Sequence, residues 1–272
     1  MTRVQIPSDL NGVLDSAWLA AKNVPGFLLE SEARFIGMAA ACAPPVGSIV
    51  EIGSFKGRST VMLAKVCQRY GLDPVIAIDP HNFNSVELQS YRSVPDASSY
   101  EEFSQNIQST GVSDVVTPLR ALSTDVSRNW TSPIRFLWID GDHTYEGTKG
   151  DFDGFIDHVV TGGFVAFHDA LHEFSGPIRV FVEDVLTSDL FGAAGFVGSI
   201  AWAQLRRGDG ALFRSQRTKL KQMALPLVRL HQSEERLRGF RKLLFKLRRS
   251  RVPRTLIQPS DWASLLNNFD RS

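Results

Sequence analysis

The chain has 272 residues, 43% hydrophobic and 22% charged, which is enough to bury one sizeable core, and no stretch approaches the roughly 18 uncharged apolar residues of a membrane span. Its net charge of +1 hides a segregation, 13 Lys+Arg against 24 Asp+Glu up to Leu205 and 17 against 5 from Arg206 onward, so two regions with different tasks are predicted. Cys42 and Cys67 are too few for a secreted disulfide framework and too isolated for a thiolate metal site; with a polar start that lacks a signal-peptide core, they make the cytoplasm the expected compartment.

In chain order, "SDLNGVLDSAWLAAK" and "ESEARFIGMAAACA" predict two helices that cover a sheet. The short β-rich runs "GSIVEIG" (47–53), "PVIAID" (74–79), "VVTPLR" (115–120), "IRFLWID" (134–140) and "GGFVAFHD" (162–169) follow. Most lack strict apolar–polar alternation, as strands covered on both faces do. Helical patterns lie between them: "STVMLAKVCQRYG", "SYEEFSQNIQSTG" and "EGTKGDFDGFIDHVV", with Gly71 and Gly111 stopping the first two. "SGPIRVFVEDVLTSDL" is again helical, and "GFVGSIAWAQLRRGDG" predicts one or two closing strands. Parallel neighbours need crossover connections, so the alternation predicts an α/β, Rossmann-like, doubly wound and mainly parallel sheet of about seven strands.

In such sheets ligands sit beyond the carboxyl ends of the strands. The first strand leads into "EIGSFKGRST", where Gly53 allows close backbone approach and a helix N-terminus can receive an anionic group. This is either a nucleoside-cofactor loop or a tight strand-to-helix turn. It lacks the Gly-Lys-Ser/Thr of a Walker A loop, and Phe55 stands where a pyrophosphate-binding fingerprint needs its second glycine. Asp79 ends the second strand, where an acid accepts from ribose hydroxyls or caps a turn. The fourth and fifth strands deliver Asp140, and His168 with Asp169, to the same edge.

A cofactor with a ribose but no pyrophosphate points to S-adenosylmethionine. "VEIGSFKGRST", "IAIDPH", "FLWIDGDHTYEGTKGDFDGF" and "GGFVAFHDA" resemble, in order, the motifs of class I S-adenosylmethionine-dependent methyltransferases. Within that class they are most similar to the bacterial group that includes macrolide sugar O-methyltransferases and cephalosporin-hydroxylase-like proteins, and more distantly to catechol-type O-methyltransferases. The likeness spans about 47 to 206. It implies that Glu51, Gly53 and Ser54 line the methionine side of the cofactor, Ser59 holds its carboxylate, Asp79 takes the ribose hydroxyls and Ser123 contacts adenine. It also implies that Asp140, at the cofactor's rim, joins His168 and Asp169 around one divalent cation, Mg²⁺ or Mn²⁺. Imidazole departs from the all-oxygen set that Mg²⁺ prefers and suits Mn²⁺, Fe²⁺ or Zn²⁺ better, so either the metal is not Mg²⁺ or His168 points elsewhere. On this reading the chain divides into an N-terminal helical cover (1–46), an S-adenosylmethionine-binding catalytic domain (47–207) and a basic helical extension (208–272).

His143 lies three residues beyond Asp140, where the resemblance places the general base, a Lys in catechol-type members and a His in sugar-modifying ones. A neutral imidazole accepts a hydroxyl proton near neutral pH. Plainer roles stay open beside these: a turn carboxylate for Asp140, a helix cap or an orienting group for Asp142, and a solvated loop imidazole for His143. His81 and His172 read as surface residues, Phe136 and Trp138 as core. Tyr91 and Tyr100 sit in a polar loop of the kind that shapes acceptor sites.

The basic segment 226–251 predicts one amphipathic helix that starts at Pro226, with Leu230, Leu237 and Leu244 gathered on the same side as Phe240, Leu243 and Leu247, and ends at Val252 and Pro253. It would dock on its own domain or on a second copy, or associate with an anionic membrane surface at the inner face. Nucleic acid is not expected, because the catalytic region is acidic and no aromatic platform accompanies the basic run. A short helix within "RTLIQPSDWASLLNNF" closes the chain. The function predicted is O-methylation of a hydroxyl on a saccharide or glycosylated metabolite, the acceptor being a small molecule or a glycan. The alternatives are a non-catalytic cofactor-binding module that recruits a partner or membrane through its basic helix, and a nicotinamide oxidoreductase, which Phe55 speaks against.

Overall fold

The computed structural model of the chain describes residues 5–82, 98–231, 237–254 and 257–267. Tyr91 lies outside the described residues. Helices α1 (Leu10–Ala21) and α2 (Glu30–Cys42) precede β1 (Ser48–Ile52). Next come α3 (Arg58–Tyr70), β2 (Val75–Ile78), α4 (Tyr100–Ser109), β3 (Val116–Leu119), the short α5 (Ser123–Ser127), β4 (Ile134–Ile139), α6 (Tyr145–Phe155) and β5 (Val159–Phe167). A short helix α7 (Gly176–Val180), continued by a wider π-type turn to Val185, leads to the antiparallel pair β6 (Phe191–Val197) and β7 (Ile200–Leu205).

The seven strands form one sheet in the order β3-β2-β1-β4-β5-β7-β6. The first five are parallel, and β7 enters antiparallel between β5 and β6. The predicted doubly wound sheet is therefore observed, with its switch in strand order between β1 and β4. That is where such sheets open a crevice. β5 begins earlier than the sequence pattern indicates: the preceding helix closes in a tight turn over Ile156–His158, and Val159 already pairs with Ile134. Val159 and Val160 are β-branched and favour the extended backbone over a further helical turn.

Both faces of the sheet are covered, which explains the continuous apolar runs. Ile49, Phe136, Trp138, Phe164 and Trp202 face the layer built by α1 to α4. Val50, Leu137, Ile139, Val165 and Phe167 face α6, α7 and the helices after β7. Each large side chain so buried stabilises the fold by about 1.5–3 kcal/mol. Arg135, within the otherwise apolar β4, is itself buried; its Nη2 donates to the carbonyls of Ala40 (3.0 Å) and Ala43 (2.8 Å), groups that the end of α2 leaves without helical partners.

After β7 the chain forms α8 (Arg214–Val228), α9 (Gly239–Arg249) and α10 (Pro259–Asn267). Pro226, expected to open a helix, instead lies in the last turn of α8. The buried positions Leu220, Ala224 and Leu227 give the preceding residues a core-facing stripe, so the helix starts well before Pro226. The apolar residues expected on one side are also divided. Leu230 and Leu237 are buried and Leu244 is partly so, whereas Phe240, Leu243 and Leu247 are exposed, because Phe245 sets the docked face of α9. Trp262 of α10 returns to the other face of the sheet, with ring centroids 5.0 Å from Trp202 and 5.2 Å from Phe164. Among the described residues no helix is long and apolar enough to cross a membrane.

Candidate active site

β1 and β4 come so close at their carboxyl ends that a Cβ on Gly53 would stand 2.1 Å from the Asp140 carbonyl oxygen, and Gly53 adopts φ +85°. Only glycine meets both conditions. Among the described residues the non-glycine residues with positive φ, Phe55 (48°), His81 (55°) and Asp169 (54°), follow β1, β2 and β5 at this same edge. Left-handed backbone costs about 1–2 kcal/mol per residue, and such strain gathers where function fixes the geometry. Phe55, the residue that stands in place of a fingerprint glycine, is thus a true outlier.

The strained turns are held by Asp79. Its Oδ2 accepts from the Phe55 N–H (2.8 Å) and its Oδ1 from the His81 N–H (2.6 Å), so one carboxylate ties the β1–α3 turn to the β2 exit. Each oxygen keeps a lone pair for a further donor. His81 is buried, not at the surface as expected: its Nδ1 pairs with Ser99 Oγ at 2.8 Å and its ring packs on Tyr100 and Phe103. Glu51 is fully buried; Ser59 Oγ donates to its Oε1 and Thr60 Oγ1 to its Oε2 at 2.6 Å. Burial pushes the Glu51 carboxyl up to about 8, against the opposing pull of those two hydroxyls. Ser54 Oγ, one residue beyond the Gly53 turn, is buried without a hydrogen-bond partner among the described residues. An unsatisfied buried hydroxyl at the opening of α3 leaves a donor and an acceptor for a polar ligand.

β4 and β5 run side by side and release Asp140 and Asp169 next to each other. His143 stands between the two carboxylates, with Nε2 3.7 Å from Asp140 Oδ1 and 3.6 Å from Asp169 Oδ2. Asp140, His143 and Asp169 can each offer one ligand atom within 4.8 Å of the others, close enough to share a metal ion. Phe174 stacks on the His143 ring, centroids 4.8 Å apart and 14° between planes. The loop is fixed from below as well: the Gly176 N–H donates to the His143 carbonyl at 3.0 Å, and a Cβ at Gly176 would come within 2.2 Å of the Thr144 carbonyl oxygen. Thr144 caps α6 by accepting from the Gly147 N–H (3.1 Å), and Asp142 orients Thr144 by accepting its N–H (2.9 Å).

His168, expected as a ligand between the two aspartates, has Nδ1 3.6 Å from Asp169 Oδ1. It is buried, with Nδ1 3.0 Å from Asp140 Oδ1 and Nε2 3.4 Å from Glu32 Oε2, so both ring nitrogens face carboxylates. Burial opposes its charged form, but Asp140 and Asp169 outweigh it and hold the imidazole well above its usual range. Asp140 is held below the usual carboxylate range: burial works against this and is overcome by His168 and His143. Ser123 donates its hydroxyl to Asp151, a buried acid that desolvation pushes up to about 7. His172 is half-exposed, its Nδ1 3.2 Å from Asp169 Oδ1.

Glu32 and Phe174 are participants that the sequence analysis misses. Glu32 is almost fully buried and also accepts from the Ser199 N–H and Oγ, each at 2.7 Å. The available signal was a carboxylate on the apolar face of α2, three and four residues before the buried Phe35 and Ile36. An acid in such a position must have a partner.

Residues 50–170 match the family described as Methyltransferase domain. The fold is similar to that of the cofactor-bound Rv0187 from MTB, with 18% identity over 74% of this chain and 91% of that one at a TM-score of 0.52. It is likewise similar to the O-methyltransferase NovP, with 19% identity over 71% of this chain and 79% of that one at a TM-score of 0.51.

Proposed function

We propose that this chain, a class I S-adenosylmethionine-dependent methyltransferase, methylates a hydroxyl oxygen of a saccharide or glycosylated metabolite with His143 as the general base. The observation that carries the reading is the meeting of Asp140, His143 and Asp169 at the strand ends beside the Gly53 turn. The saccharide class rests on the likeness of "FLWIDGDHTYEG" to the motif of sugar-modifying members.

S-adenosylmethionine supplies an electrophilic methyl group on its sulfonium. The residues present fit it: the Ser54 hydroxyl, buried and without a partner among the described residues, would receive its polar tail at the Gly53 turn, and Asp79 has lone pairs left for ribose hydroxyls, while Glu51 holds Ser59 and Thr60 at the start of α3. Methyl transfer needs the acceptor oxygen in line and its proton removed. His143 Nε2 serves as that proton's acceptor, with the flanking carboxylates offsetting the charge it gains and Phe174 holding the ring in plane. Asp140 and Asp169 would hold a divalent cation, with His143 as the third donor within reach. Such an ion supplies Lewis-acid polarisation of the acceptor hydroxyl. One nitrogen cannot both ligate a cation and accept a proton, so ligation by His143 is the competing reading that the same geometry favours.

The test is transfer of labelled methyl from S-adenosylmethionine to a panel of saccharide hydroxyls. Loss of roughly 10²–10⁴-fold in His143→Ala at unchanged cofactor and Mn²⁺ affinity identifies the base. Robust turnover in that variant and in excess chelator refutes the mechanism; cofactor binding without turnover on any acceptor refutes the enzyme.

A further inference from the structure

The helix α9 (Gly239–Arg249) carries an apolar stripe that the fold does not use. Phe240, Leu243 and Leu247 are 76%, 64% and 58% exposed. At about 100° per residue they fall within about 60° of one another, and the buried Phe245 lies nearly opposite them. The stripe is therefore turned away from the protein and is not core that happens to show. No acidic residue occurs from 237 to 254, where Arg238, Arg241, Lys242, Lys246, Arg248, Arg249, Arg251 and Arg254 supply only positive charge. On the helix circumference Lys246 borders the stripe on one side, and on the other the partly buried Leu244 precedes Arg248.

A second feature lies beside it. Between α8 (Arg214–Val228) and α9 a cleft of about 430 Å³ is lined by Arg229, Arg248 and Arg251 together with Met223 and Pro226. Three arginines beside apolar side chains, with Arg248 Nη1 already donating to the Pro226 carbonyl at 2.9 Å, suit an anionic headgroup whose chain continues into an apolar phase.

We propose that α9 docks this protein on an anionic membrane surface, with Phe240, Leu243 and Leu247 entering the headgroup boundary and Arg229, Arg248 and Arg251 receiving lipid phosphates. Charge complementarity selects this occupant. A second copy joined through the same face about a two-fold axis would set two basic stripes against each other. A nucleic acid would satisfy the arginines and leave the three apolar side chains in water. A basic face around a bulky apolar strip suits a helix lying in a lipid interface, where both kinds of group are satisfied at once. The helix is also joined to the catalytic edge: Lys242 pairs with Glu173 at 2.7 Å and Arg249 Nη1 donates to the Leu171 carbonyl at 2.9 Å, both on the segment between Asp169 and Phe174. Docking would thus place α9 between the lipid and the segment that follows Asp169.

The experiment is flotation of the full chain with vesicles of equimolar phosphatidylglycerol and phosphatidylcholine, and with phosphatidylcholine alone; it reads no methyl transfer, so it stands or falls apart from the catalytic reading. Binding to the mixed vesicles is expected to exceed binding to the neutral ones by roughly tenfold or more and to weaken in high salt. The variant Phe240→Glu/Leu243→Glu/Leu247→Glu, altered only at exposed positions, keeps its thermal midpoint and loses that binding, and Arg229→Glu/Arg251→Glu weakens it. Absence of binding to mixed vesicles overturns the proposal, as does binding that survives the triple substitution. Wild-type self-association that the triple substitution abolishes, with no vesicle binding, overturns it in favour of a second copy.

Discussion

His168 Nδ1 lies 3.0 Å from Asp140 Oδ1, while the opposite ring nitrogen reaches Glu32, so a single buried imidazole joins the catalytic edge to helix α2. Burial disfavours the Glu32 carboxylate, yet His168 and the N–H groups of Ser199 and Leu29 overcome that cost and hold it at about 2, against 4.5 ordinarily. A depressed acid contributes stability that is present above its unfolded value and lost as pH falls through its folded one. Glu32→Gln should therefore lower stability above about pH 4.5 by on the order of 3 kcal/mol and flatten the loss between about 4.5 and 2. Urea midpoints across that range check both. An unchanged acid slope would mean that the pair is not ionised in the folded protein.

Gly53→Ala sets a methyl group 2.1 Å from the Asp140 carbonyl oxygen at a residue with φ +85°. The neighbours are backbone and cannot swing aside. A stability loss of about 2–4 kcal/mol is expected, together with loss of S-adenosylmethionine binding, because the two strand ends must separate. Calorimetric titration and a thermal melt of the same sample report on the two effects. Tight cofactor binding by a variant of native stability would show that the close approach is not required.

The features legible in the sequence are those that chain order alone determines. Parallel strands must emerge at one edge, so Asp140 and Asp169, at the ends of consecutive strands, meet there, and His143 follows Asp140 too closely to lie elsewhere. Gly53 is legible because a strand-to-helix turn has few conformations. Partners brought together by packing are not legible: Glu32 and His168 are 136 residues apart, and nothing local in either segment names the other. The burial of His81 escapes for the same reason, since its surroundings come from Ser99, Tyr100 and Phe103 on α4 and its approach. Along the C-terminal helices the pattern of leucines is visible, but which of them face the protein depends on where Phe245 finds its pocket.

Glu51 yields a prediction of opposite sign to that for Glu32. Its folded value, raised by burial to about 8 from 4.5, means that the folded chain binds the proton more tightly than the unfolded one. Stability is then fullest below about pH 4.5 and declines as pH rises toward 8. Glu51→Gln keeps the two hydroxyl contacts available and removes the titration, so its stability should exceed that of the parent by about 1–3 kcal/mol at the upper end of this window and differ little at the lower end. Denaturant midpoints at both ends decide it. A parent protein whose stability is flat over the window would exclude a protonated Glu51.

Asp140 and Asp169 lend themselves to a direct binding measurement with Mn²⁺ alone. If both carboxylates contribute to a cation site, Asp169→Asn should weaken Mn²⁺ binding by roughly tenfold or more, since a neutral amide oxygen replaces a charged ligand. Asp140→Asn should do the same and also leave His168 facing one carboxylate fewer, which adds a loss of stability that Asp169→Asn shows to a smaller degree. His143→Ala separates the two roles open to that imidazole. As a ligand, its loss weakens Mn²⁺ binding about as much as the loss of either aspartate. As a base, it leaves Mn²⁺ affinity near the parent value and removes the acid-side limb from the pH profile of kcat/KM.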